Sequence, residues 1–154
     1  MRESYLQFIH RVPFYGLAVL CLDDPHVAAI MPQVARPMLT YGITSDADLV
    51  ARDVRWDAGR MRFTAVAARK EFKPLDVLLN LPGDHNVLNA LAAIAVAREV
   101  GCTDAAIAKG LAEFTGVGRR FQRYGEVAIS GGGHYAVVDD YGHHPAEMAA
   151  TIAA

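Results

Sequence analysis

Apolar side chains recur at two different spacings along this chain, and each change of spacing marks an element. Up to Ile9 they fall at helical intervals, and the pattern breaks before Pro13. GLAVLCL, from Gly16 to Leu22, is a continuous apolar run of strand length, the mark of a strand covered on both faces. DDPHVAAIMPQV supplies an aspartate cap and places Pro25 at the first position of a short helix. PMLTYGI is a second strand. The order β, α, β predicts a parallel sheet with a crossover helix.

From Asp48 to Leu79 apolar and charged residues alternate around Asp57-Ala58-Gly59, a hairpin signal, so this stretch reads as half-buried antiparallel strands. LPGDHNVLNALAAIAVAREVG then predicts a helix with Asp84 as its cap and Gly101 at its end. Val87, Leu88, Leu91, Ile94 and Ala95 share one face of it. A second helix starts at the Thr103 cap and stops by Gly116. GVGRRFQRYG, with glycines around two adjacent arginines, has the composition of a linker. Beyond it EVAISGGGHYAVVDD is a hairpin, and VVDDYGHHPAEMAATIAA reads as strand, loop and helix with Pro145 in the first turn. A hairpin and a helix of this size cannot bury a core alone, so they are expected to open a second domain. The last helix carries no stop signal, and the natural chain is expected to continue.

Composition narrows the class. Of 154 residues 53% are hydrophobic and 21% charged, with a net charge of -2, which is a globular balance. The basic residues are scattered and form no stripe for nucleic acid or an anionic membrane. No apolar run approaches the roughly 20 residues of a membrane span. Cys21 and Cys102 lie far apart without metal or redox spacing and read as free thiols of a reducing, cytoplasmic compartment.

Chemistry gathers at three places. Asn86 and Asn89, three apart in a first helical turn, project their amides from one face. A carboxamide matches N6 and N7 of adenine, although asparagines at a helix start also cap it or face water. Arg119 and Arg120 present guanidinium forks suited to phosphate or carboxylate, in a loop between two apparent domains; elsewhere such a pair is commonly a solvated surface. Asp139, Asp140, Tyr141, His143 and His144 include metal-ligand types, but neighbours in an extended segment point apart and Pro145 holds His144 extended. An aspartate accepting a ribose hydroxyl, with a histidine near an anionic substrate, fits the strand end better. No metal ligand is assigned. GGGH at 131–134 lies between two strands and is read as a turn. His10, His26 and His85 are isolated and are given structural roles.

Three strings in this order and spacing, LPGDHNVLNALAAIAVA, GVGRRFQRYGE and VVDDYGHHPAE, resemble the amide-forming Mur ligases of peptidoglycan synthesis. The resemblance extends over almost the whole chain, FIHRVPFYGLAVLCLDDPHV included. Within the family, GVGRRFQ and DDYGHHP point to the branch that joins L-alanine to UDP-N-acetylmuramate through an acyl phosphate. The resemblance implies an α/β fold in which 1–115 are the C-terminal part of a central ATP-binding domain. By the same resemblance 116–122 are a linker, and 123–154 begin a Rossmann-like C-terminal domain. It implies ATP and Mg²⁺ as cofactors, with the magnesium ligands and the phosphate loop before Met1 and the alanine-side groups after Ala154. No catalytic residue is therefore assigned here, and this stretch alone is expected to be inactive. By the same resemblance Asn86 and Asn89 meet adenine, Arg120 the phosphates and Asp140 the ribose. Arg119, Tyr141 and His143 face the substrate cleft. Asp84 and Ala146 depart from the family pattern and receive no role. No nucleic-acid or membrane partner is expected, and open edges make a homodimer of the fragment an expectation. The alternatives are a tripeptide-recycling member of the family and a non-catalytic nucleotide-binding module.

Overall fold

The computed structural model describes residues 2–153, and its first elements follow the β, α, β order read from the sequence. Helix α1 (Arg2–His10) precedes strand β1 (Ala18–Cys21), helix α2 (Pro25–Ile30), a 3-10 turn at Met31–Gln33 and strand β2 (Met38–Gly42). Asp24 caps α2: its carboxylate accepts the N–H groups of His26 at 2.7 Å and Val27 at 3.0 Å. β1 and β2 pair in parallel. One face of β1 packs Ala18 and Leu20 with Leu6 and Val34, and the other turns Val19 toward the main core, so both faces are covered.

β2 also runs parallel to β3 (Leu49–Asp57), with Tyr41 opposite Leu49 and Gly42 opposite Val50. Parallel neighbours ordinarily need a crossover of a dozen or more residues. Here 43–48 suffice, because two carboxylates hold the loop. Asp48 accepts the N–H and hydroxyl of Thr40, both at 2.8 Å. Asp23 accepts the N–H groups of Ile43 at 2.7 Å, Thr44 at 3.2 Å and Ser45 at 2.9 Å, together with both hydroxyls. β3, β4 (Arg60–Ala67) and β5 (Leu75–Leu79) then form the predicted antiparallel meander, completing a sheet of order β1-β2-β3-β4-β5. Ala58 and Gly59 fill the two-residue turn between β3 and β4 with φ of 48° and 86°, the signs a type I′ turn requires.

Alternation along β4 and β5 places Met61, Phe63, Ala65, Leu75, Val77 and Leu79 on one buried face. Helix α3 (Asp84–Glu99) lays Val87, Leu91 and Ile94, each at 0% exposure, against it. Burying a side chain of this kind contributes about 1.5–3 kcal/mol. The sequence places the α3 cap at Asp84, but Gly83 is the cap, with φ 90° and ψ 147°, and Asp84 is already helical without a capping side-chain bond. That conformation is open to glycine and strained for other residues, so Gly83 sets the start. Helix α4 (Asp104–Glu113) has the predicted Thr103 cap and ends before Gly116, at Phe114. Arg98 ties α3 to α4 through two bonds to Asp104, at 2.9 and 3.0 Å, and one to the Lys73 carbonyl at 3.3 Å.

Past an irregular stretch, β6 (Gln122–Ala128) and β7 (His134–Asp139) make a separate two-stranded antiparallel sheet, followed by helix α5 (Pro145–Ala153). No residue of α5 is buried, and Tyr135, Val138, Met148 and Ile152 are exposed.

Candidate functional site

The first turn of α3, the stretch before β6 and the β7–α5 loop enclose a cavity of about 550 Å³. Asn86, Asn89, Arg119, Arg120, Asp140, Tyr141 and His143, the seven residues singled out from the sequence, all line it. Arg120 also lines a second cavity of about 640 Å³, which holds Trp56, Asn80 and Arg123.

On the α3 side, the Asn86 amide donates to the Pro82 carbonyl at 2.7 Å and stands 3.1 Å from His85 Nε2. Asn89 donates to Asn86 Oδ1 at 3.4 Å. On the opposite side Asp140 organises the wall. Its carboxylate accepts the N–H of Gly142 at 2.7 Å and of Phe121 at 2.8 Å. These two bonds, aided by Thr151 and Arg120 and opposed by burial, hold its carboxyl below the usual range. A Cβ on Gly142 would stand 2.8 Å from Asp140 Oδ1, so the loop closes this tightly only around glycine. Arg119, at φ 61°, accepts the Tyr141 N–H at 2.8 Å and lays its guanidinium 4.4 Å from the Tyr141 ring centroid. The His143 and Tyr141 rings are 5.3 Å apart.

Glu147 Oε2 accepts the N–H groups of His143 and His144, both at 3.2 Å, and so serves the start of α5. Bonds from the His144 and His143 N–H groups hold its carboxyl low. Among the described residues no three His, Cys, Asp or Glu side chains gather closely enough to hold a metal ion.

His85 received only a structural role from the sequence, yet it lines the cavity and is half-buried. Burial pushes its imidazole below the ordinary value, against the opposing carboxylates of Asp140 and Asp84. The one local signal was its place immediately before Asn86. Its burial depends on elements distant in sequence.

The profile of the Mur ligase middle domain matches residues 2–97. The chain belongs to the Mur ligase family. This Mur ligase chain is 58% identical over 154 residues to a UDP-N-acetylmuramate--L-alanine ligase of Thiobacillus denitrificans. All of the chain is covered, against 33% of that relative, so it spans about a third of the length of the curated relatives it matches. Among solved structures it is similar to the UDP-N-acetylmuramate-alanine ligase of Thermotoga maritima, with a TM-score of 0.73 and 25% identity over 99% of this chain and 32% of that one. It is also similar to MurF of Acinetobacter baumannii, with a TM-score of 0.78 over 96% of this chain and 31% of that one. At 23% identity the second likeness shows the fold alone.

Proposed function

We propose that this Mur ligase chain is the nucleotide-holding part of an ATP-dependent ligase that joins L-alanine to UDP-N-acetylmuramate. The observation that carries the reading is the meeting of two asparagines, two arginines and a strand-end aspartate around one cavity. The 58% identity to an alanine-adding ligase supports the choice of acceptor. Bound ATP would supply the phosphoryl group that activates a carboxylate. Asn89 keeps an unused acceptor and an unused N–H for the adenine edge. Arg120 offers an always-charged fork to phosphate oxygens, and Arg119 offers one to the substrate cleft. Asp140 offers its carboxylate to a ribose hydroxyl, and its bond from the Gly142 N–H holds the turn between Tyr141 and His143. Residues 1–115 belong, in this reading, to a central ATP-binding domain, 116–122 to a linker and 123–154 to a C-terminal domain.

The test is phosphate release by the complete protein with ATP, UDP-N-acetylmuramate and either L-alanine or a tripeptide as acceptor. Release that requires L-alanine is the expected result. Release with tripeptide alone would move the assignment to a recycling ligase, and no turnover with either would leave a nucleotide-binding module. Residues 1–154 alone are expected to release none. The exposed apolar side chains of β7 and α5 support self-association of this chain, which light scattering across micromolar concentrations would reveal as a dimer.

A further inference from the structure

Asn86 and Asn89 look equivalent in sequence, but their hydrogen-bond valences are not equally free. An amide nitrogen has two N–H groups. At Asn86 one goes to the Pro82 carbonyl at 2.7 Å and the other faces His85 Nε2 at 3.1 Å. The nearby carbonyl fixes which end is nitrogen, because the flipped amide would set two acceptors against each other. Asn86 Oδ1 is met by Asn89 Nδ2 at 3.4 Å. Asn89 is exposed and uses one N–H for that contact.

We propose that His85 is a positioning residue: as a neutral acceptor it locks the Asn86 amide, which in turn aims Asn89 as the residue that meets the adenine edge. The proposal rests on the adenine-nucleotide reading of the cavity. Asn86 Nδ2 can only donate, so Nε2 must carry no proton and the ring proton must lie on Nδ1. A protonated ring would set a donor against a donor. Burial favours the neutral ring, and Asp84 on α3 and Asp140 on the β7–α5 loop oppose it. Arg119, Arg120, Tyr141, His143 and Glu147 are the other charged or titratable groups lining the cavity.

The test uses the complete protein with ADP as the probe, followed by side-chain amide and imidazole NMR signals and by calorimetric titration. Without ligand, the Asn86 amide signals are expected to change with pH at the midpoint of the His85 ring. ADP affinity is expected to fall on the acid side of that midpoint. His85→Phe removes the acceptor and is expected to weaken ADP about 5-fold, the size of one lost net hydrogen bond. His85→Gln, whose amide oxygen accepts without titrating, is expected to restore affinity and to abolish the dependence on His85. Asn86 signals indifferent to His85, or His85→Phe binding ADP as tightly as the unaltered chain, would overturn the proposal. Absence of ADP binding by the unaltered complete protein would overturn both the aiming role and the nucleotide reading. The ligand-free signals report separately on the lock itself.

Discussion

Arg119 holds Tyr141 at two points, accepting its N–H at 2.8 Å and covering its ring with the guanidinium at 4.4 Å from the centroid. The main-chain bond survives any substitution of the ring, whereas the cation–π contact does not. Tyr141→Leu is therefore expected to loosen the stretch before β6 and to raise tryptic cleavage after Arg119 and Arg120. An exposed contact of this kind is worth about 0.5–1 kcal/mol, which sets the increase at about 2- to 5-fold. Equal cleavage rates would show that the ring does not restrain the arginines.

Asn89→Leu in the complete protein is expected to weaken ATP use while leaving the constants for the other substrates nearly unchanged. Leucine keeps the volume and removes donor and acceptor, costing roughly 1–3 kcal/mol, or about a 5- to 150-fold rise in the ATP constant. ATP titrations with thermal melts alongside separate this outcome from a loss of helix stability. A folded variant with unaltered ATP affinity would remove Asn89 from the site.

Asp23 predicts an acid limb in the stability curve. Burial pushes its carboxyl up, but the bonds from Ser45, Ile43 and Thr44 outweigh it and bring the pKa from 3.8 down to about 2. A folded pKa below the unfolded one stabilises the fold above about pH 4, and that contribution disappears as pH falls through about 2. The shift corresponds to about 2 kcal/mol unscreened, and partial exposure reduces this to about 1. Urea unfolding between pH 2 and 5 is expected to show this limb, and Asp23→Asn to flatten it.

Arg98→Met is expected to destabilise the five-stranded sheet unit by about 1.5–3 kcal/mol in urea unfolding, since the buried guanidinium joins Asp104 and the Lys73 carbonyl. Arg98 also lies 4.7 Å from the Phe72 ring centroid, and methionine retains part of that packing. ADP affinity of the folded variant is expected to hold, because Arg98 does not line the cavity. A shift in affinity at unchanged stability would contradict the purely structural assignment.

Ala58→Gly is expected to stabilise the fold by about 0.5–1 kcal/mol, the reverse of the usual direction, because Ala58 sits at φ 48° in the β3–β4 turn. A higher urea midpoint at unchanged slope is the measurement. A lower midpoint would mean that the extra freedom of the unfolded glycine chain outweighs the relief.

Local features of the fold were readable where one residue type answers one geometric need. Asp24 and Pro25 start α2, Asp57-Ala58-Gly59 turns the hairpin, and alternation along β4 and β5 gives their buried face. Long-range features were not. Nothing local announces that Asp23 and Asp48 hold a short parallel return, since their partners lie across the loop. Asp84 drew the cap because acidic residues usually take that place, while the backbone at Gly83 decided it. At the cavity, Asn86, Asn89 and the arginines were found by side-chain chemistry and family resemblance. His85 escaped because its relevance comes from burial and one bond to its neighbour.

The bonds from Phe121 and Tyr141 have a mechanical consequence. They fasten the stretch of Arg119 and Arg120 to the β7–α5 loop beside the small sheet, whereas the asparagines stand on the helix of the large one. The cavity is thus a pair of jaws with one contact surface on each. A molecule long enough to touch Asn89 and Arg120 together bridges the two sheets, and one that touches a single jaw does not.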